Sequence, residues 1–66
     1  MEVLINGKTK TLSGPLNLRE LLDHMQLQPD RCAVELNRQI ISRGSWETTA
    51  LAAGDQIEIV HFVGGG

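Results

Sequence analysis

Gln56-Ile57-Glu58-Ile59-Val60-His61-Phe62-Val63 is an apolar run that reads as a core strand, and Gly64-Gly65-Gly66 follows it at once. Glycine stabilises nothing by packing and loses the most backbone entropy when ordered. Three glycines after a core strand therefore have no structural purpose of their own. A frayed terminus is the ordinary explanation. The alternative is a fold that uses its last strand to present a bare backbone and a terminal carboxylate. The residues upstream decide between the two.

A chain of 66 residues makes one small domain, which buries only about 60% of the surface that its unfolded form exposes. Apolar residues make up 41% of it, with one Trp, one Phe and no Tyr, so its core is expected to be aliphatic. Such a domain has little room for a deep pocket and a full catalytic apparatus, and no residue is expected to be catalytic. The net charge of −2 offers no electrostatic footprint for nucleic acid or an anionic membrane. Cys32 stands alone, which excludes an intrachain disulfide; with only His24 and His61 beside it, no metal site is expected. A reducing, cytoplasmic setting fits. No apolar stretch approaches membrane-spanning length, and with a strand-like run beginning at Met1 no targeting segment is expected.

Glu2-Val3-Leu4-Ile5 and Lys8-Thr9-Lys10-Thr11-Leu12 flank Asn6-Gly7, the favoured dipeptide of a type I′ turn, and predict an opening β-hairpin. Lys8 and Lys10 read as solvated charges. After Ser13-Gly14-Pro15, Asn17 and Glu20 are spaced as a capping box, and Leu16 and Leu21 as a hydrophobic staple. Leu18, Leu21, Leu22 and Met25 make one apolar helical stripe, with Arg19, Asp23, His24 and Gln26 off it. The helix is expected to fade near Leu27, ahead of Pro29. Cys32 to Asn37 reads as a third strand with Val34 and Leu36 inward, and Asn37-Arg38 as a tight turn into a strand over 39–42. Ser45 is expected to cap one helical turn over 46–48. Leu51 is expected to anchor the core before the Ala53-Gly54-Asp55 turn.

The order β-β-α-β-β-β, with one amphipathic helix for four or five strands, predicts an α+β two-layer domain over 1–63 and a flexible glycine tail over 64–66. The first and last strands are the most aliphatic and are placed centrally. Ile57 and Ile59 would then face the helix, while Glu58, Val60 and Phe62 would face outward. Apolar residues on an uncovered face beside the tail suggest a docking surface.

Glu35-Leu36-Asn37, Ile41-Ser42-Arg43, Trp46, Leu51, Gly54-Asp55, Ile57-Glu58-Ile59-Val60 and the terminal glycines stand in the order and spacing of one family. By these residues the chain resembles the sulfur carriers of thiamin biosynthesis, the ThiS family. The resemblance spans the chain and is concentrated from Val34 to Gly66. It implies a β-grasp, ubiquitin-like fold, with a four- to five-stranded mixed sheet and the helix packed on one face. It also implies that the chain is a protein co-substrate and not an enzyme. A ThiF-type adenylating enzyme would use ATP and magnesium to activate the carboxylate of Gly66, the chain itself binding no cofactor. Sulfur from a cysteine persulfide would displace AMP to leave a thiocarboxylate, and a ThiG-type thiazole synthase would take that sulfur. The carrier alone would be a monomer.

The residue types suit that chemistry. An α-carboxylate with pKa about 3.3–3.7 is ionised at neutral pH and can attack the α-phosphorus of ATP. Gly66 puts no side chain beside the reacting carbonyl, and Gly64 and Gly65 adopt whatever backbone geometry a narrow partner channel demands. Three extended residues reach roughly 10 Å beyond the last strand. Three other functions share part of this pattern: the small subunit of molybdopterin synthase, a ubiquitin-like modifier joined to lysines, and a plain β-grasp binding module. Of the remaining residues, His61, His24 and Cys32 read as structural or solvated, Arg43 as a surface ion-pair partner, Trp46 as a lid on the sheet edge and Asp55 as a turn residue.

Overall fold

The computed structural model describes residues 1–63. Glu2–Ile5 (β1) and Lys8–Thr11 (β2) form the antiparallel hairpin. Its turn residues have φ of 50° at Asn6 and 81° at Gly7, as a type I′ turn requires. The register sets Val3 against Lys10 and Ile5 against Lys8. Val3 and Ile5 are buried, so the two lysines share the core-side face of β2 yet remain exposed, because β2 is an edge strand. Charges placed this way hinder a second chain from pairing with the edge.

Leu18–His24 forms the helix, α1. The capping box is complete: the Glu20 N–H donates to Asn17 Oδ1 at 2.8 Å, and the Asn17 N–H donates to Glu20 Oε1 at 2.9 Å. Leu18, Leu21 and Leu22 are wholly buried, and Leu16 is buried beside them. The helix ends at His24, earlier than Leu27. The stop is set by Gln26, whose φ of 59° lies in the left-handed region. The Gln26 N–H then reaches Asp23 O and the Leu27 N–H reaches Leu22 O, both at 3.0 Å. These are the two bonds of a Schellman motif, and Leu27 adds its apolar contact to the core. Pro29 does not stop α1; it opens a separate 3-10 turn, Pro29–Arg31, where a missing N–H costs nothing.

Cys32–Leu36 (β3), Gln39–Ile41 (β4) and Gln56–His61 (β5) complete a five-stranded sheet in the order β2-β1-β5-β3-β4. The β1–β5 pair is parallel and the others antiparallel, so the sheet is mixed. The first and last strands lie inside the sheet, with β5 at its centre. Asn37 and Arg38 turn between β3 and β4 with φ of 51° and 70°. The core joins Val3, Ile5, Val34, Ile57 and Ile59 of the sheet to the three helix leucines, with Leu12 and Leu51 closing its margins; no polar or charged residue is buried among the described residues. This is the α+β, β-grasp arrangement.

Two local expectations need correction. The turn over 46–48 belongs to a longer 3-10 helix, Arg43–Thr48, and Ser45 sits inside it and not at its cap. The Ser45 carbonyl accepts the hydroxyls of Thr48 and Thr49 at 3.1 and 2.6 Å, which draws the segment into the tighter helix. Arg43 forms no ion pair among the described residues. It donates from Nε to Pro29 O at 3.3 Å and from Nη2 to Asp30 O at 3.1 Å, and lies 5.6 Å from the Trp46 ring centroid. Two carbonyls of the Pro29–Arg31 turn, that of Pro29 also accepting the Cys32 N–H, and an aromatic face meet the guanidinium in place of a solvated carboxylate. Trp46 is buried as a lid, with Nε1 donating to Ile41 O at 2.9 Å.

Candidate functional site

The strand that leads to the glycines is held along both sides. At its start, Leu4 N–H donates to Asp55 O and Asn6 N–H to Ile57 O, each at 2.9 Å. Across the other flank Asn37 N–H donates to Gln56 O at 2.7 Å, and Gln56 N–H returns to Asn37 Oδ1 at 2.9 Å. Asp55 ties this corner together: Oδ1 accepts Asn37 Nδ2 at 3.1 Å and Oδ2 accepts the Ala52 N–H at 2.8 Å. The Asn37 and Gly54-Asp55 parts of the sequence pattern thus form one lock on the start of β5.

Farther along, β1 runs out. Its ladder to β5 covers only Leu4↔Gln56 and Ile5↔Ile57. The Asn6 side chain continues it: the Ile59 N–H donates to Asn6 Oδ1 at 2.8 Å, and Asn6 Nδ2 donates to Ile59 O at 3.2 Å. An amide side chain here does what another peptide unit of β1 would do. On the opposite flank β3 accompanies β5 to Cys32↔His61, and the Phe62 N–H donates to Arg31 O at 2.8 Å. The backbone is therefore fixed from Gln56 to Phe62. Gly64, Gly65 and Gly66 lie outside the described residues. Sequence reading assigned Asn6 only to the turn; the available signal was its amide, which glycine or a small alcohol at that position lacks.

Alternation along β5 buries Ile57 and Ile59 and exposes Glu58 and Val60. Phe62 is 58% exposed and Val63 80%. The three residues read from the sequence as a docking face, Glu58, Val60 and Phe62, thus all lie open to solvent. The register adds three more: Ala33 opposite Val60, Glu35 opposite Glu58, and Ile40, 81% exposed, opposite Glu35. A shallow depression of about 120 Å³ lies among Ala33, Val34, Glu35, Ile40, Glu58 and Val60. A larger depression, about 530 Å³, lies elsewhere, over Glu2, Val3, Leu4, Thr9, Ala53 and Gly54.

His61 is half-buried opposite Cys32, and its Nε2 is enclosed without a hydrogen-bond partner among the described residues. Cys32 is buried and its Sγ donates to Gln28 O at 3.2 Å. Burial pushes its thiol above the ordinary 9.0, Arg43 opposes this, and Asp30 adds to it. That is the reverse of an activated thiol. No group of three or more His, Cys, Asp or Glu among the described residues could hold a metal ion, and no helix among them is long and apolar enough to cross a membrane.

Residues 3–66 match the model of the ThiS family. The sulfur carrier protein ThiS of Bacillus subtilis is 40% identical over 63 residues, which cover 94% of this chain and 96% of that one. The crystal structure of the thiamine biosynthesis protein ThiS from Geobacter metallireducens superposes with a TM-score of 0.85 at 36% identity, covering all of both chains. A thiazole synthase of Magnetococcus marinus is 38% identical over all 66 residues. The chain spans only about a fifth of the length of that protein, 20%.

Proposed function

The chain belongs to the ThiS family of thiamin-pathway sulfur carriers, and from that membership we propose that its Gly66 carboxylate is the site that carries the sulfur. The carboxylate attacks the α-phosphorus of ATP in an adenylating partner; pyrophosphate leaves and a carboxyl–phosphate anhydride forms. A persulfide sulfur on a donor cysteine attacks the carbonyl carbon, and AMP leaves with the C–O bonding pair. A second thiol then attacks the donor's sulfur in the resulting acyl disulfide. The thiocarboxylate departs with the S–S bonding pair and a disulfide remains behind. Magnesium and ATP belong to the adenylating partner's site. A thiazole synthase receives the sulfur, a reading supported by the same unit recurring within the Magnetococcus thiazole synthase.

The observation that best supports this is the fixation of β5, on both flanks as far as Ile59 and on the β3 flank as far as Phe62. The body holds the strand as far as Phe62, and the glycines that follow Val63 supply reach and an unhindered carbonyl. Glu58, Val60 and Phe62 are the proposed docking residues beside it. The domain contributes position and recognition, while its partners supply the catalytic groups.

Intact-mass measurement of the protein from sulfur-replete cells tests the reading. A species heavier by sulfur minus oxygen, localised to Gly66 as the last residue, is expected. Deletion of Gly66 is expected to leave the fold intact and abolish growth without thiamin. A free acid alone, or conjugates to lysine, would overturn the sulfur-carrier role, and normal growth of the deletion strain would remove thiazole synthesis.

A further inference from the structure

Glu35 and Glu58 are direct cross-strand partners on the outer face of the sheet, and both are exposed. Like charges placed directly opposite one another destabilise a sheet. Among the described residues neither acid has an ion-pair partner, and the outward strand positions carry Glu2, Glu35 and Glu58 and no lysine or arginine, since Lys8 and Lys10 lie on the core-side register. Glu35 and Glu58 both line the depression of about 120 Å³ whose other walls include Ala33, Ile40 and Val60. Opposed acids beside an apolar floor form an incomplete site, lacking a cation with an apolar stem.

We propose that this depression seats an arginine side chain presented by the docking surface of a partner enzyme. Directly opposed strand residues have Cβ atoms about 4.5–5.5 Å apart. A planar guanidinium can offer one N–H edge to each of two carboxylates at that spacing, whereas an ammonium is a single compact charge. The aliphatic stem of the arginine would lie along Ile40 and Val60. A second copy of this chain is the poorer occupant, because a symmetric face-to-face pair would bring the carboxylates of one copy against those of the other. The inference rests on the carrier reading and names the chemistry of the surface that reads its face.

The test measures binding of the full chain to the purified adenylating enzyme and thiazole synthase of the same organism, at low and at moderate salt. The variants are Glu35→Gln, Glu58→Gln, the double variant, and Glu47→Gln as an exposed control outside the face. Each face variant is expected to weaken binding to at least one enzyme by about tenfold. The double variant should lose little more than the worse single one, and should show a flatter salt dependence. Its melting temperature should equal or exceed that of the starting protein, which separates lost docking from lost folding. Blocking the partner's guanidinium groups with phenylglyoxal should reproduce the loss and add nothing for the double variant. Unchanged binding of both single variants to both enzymes overturns the arginine seat and leaves the carrier reading standing. Failure of the starting protein to bind either enzyme overturns both. A concentration-dependent dimer that Val60→Lys dissociates assigns the face to a second copy and likewise overturns the proposal.

Discussion

Removing the amide of Asn6 should unpin the end of β5. Asn6 makes two side-chain hydrogen bonds to the main chain of Ile59, at 2.8 and 3.2 Å, and holds φ at 50°. Each bond contributes about 0.5–1.5 kcal/mol net, so their joint loss costs about 1–3 kcal/mol. A Cβ-bearing residue without local hydrogen bonding adds about 1 kcal/mol in the left-handed region. Asn6→Ala should therefore lose about 2–4 kcal/mol, and Asn6→Gly only the hydrogen-bond share, about 1–3 kcal/mol. Asn6→Asp keeps the acceptor for the Ile59 N–H but turns an oxygen toward Ile59 O, and should resemble the glycine variant. A domain of this size has about 3–10 kcal/mol of stability in total, so the loss is a large fraction of it. Urea unfolding followed by Trp46, the single and buried tryptophan, measures the change. The slope against urea should stay constant, and the melting temperature should fall by about 4–8 °C per kcal/mol. Amide exchange at Ile59 should accelerate more than at Val60, whose partner strand β3 is intact. An Asn6→Gly variant as stable as the starting protein, with Ile59 equally protected, would show that the side chain is only a turn former.

Three further outcomes follow from local geometry. Arg38 occupies the second position of a turn with φ of 70°, where Asn6-Gly7 has glycine; Arg38→Gly should stabilise the domain by about 0.5–1 kcal/mol in the same urea assay. Asn17→Ala breaks the capping box and should cost about 1 kcal/mol, with loss of helical signal at equal temperature. The Cys32 thiol is pushed above 9.0 by burial, so the folded state holds its proton to higher pH than the unfolded state does. The thiol's contribution to stability should thus be fully present below its unfolded pKa and be lost as pH rises through the folded value. Cys32→Ala should remove that part of the alkaline slope and leave sulfur loading intact. An unchanged slope would remove the thiol from the account.

Much of the fold was legible because its determinants are close in sequence. Asn6-Gly7 specifies its turn within two residues, and Asn17 with Glu20 specifies the helix start within four. The helix end was not legible, because nothing in the chemistry of Gln26 favours a left-handed backbone; its φ is imposed by the packing of Leu27 on the core. The bonds of Arg43 were hidden because their acceptors are main-chain carbonyls, which every residue carries. At the candidate site, alternation alone exposed Glu58 and Val60. Ile40 and Glu35 joined them only through the register of β3 with β4 and β5, since Gln39-Ile40-Ile41 offers two apolar neighbours and no local means of choosing which faces out. The bonds from Asn6 to Ile59 span 53 positions and depend on where β1 stops.

That stopping point links the fold to its use. A longer β1 would continue the parallel ladder past Ile57 and place a strand beside the residues that lead to Gly64. In this chain the ladder ends at Ile5↔Ile57, and a side chain takes over for a single residue. Beyond Ile59 the described part of β5 is accompanied by β3 and by Arg31 alone. The strand is thus pinned on one flank while the other has no strand beside it, and its outer face carries apolar residues with opposed acids. Stability alone favours the opposite choices: a full ladder, a neutral or oppositely charged Glu35–Glu58 pair, and fewer exposed apolar side chains at Ile40, Val60 and Phe62. These three departures lie along the open flank and outer face of β5, the strand that precedes the glycines. The core, the capping box and the edge lysines follow ordinary stabilising rules, so the departures along β5 are best read as the cost of presenting a tail and a recognition face to other proteins.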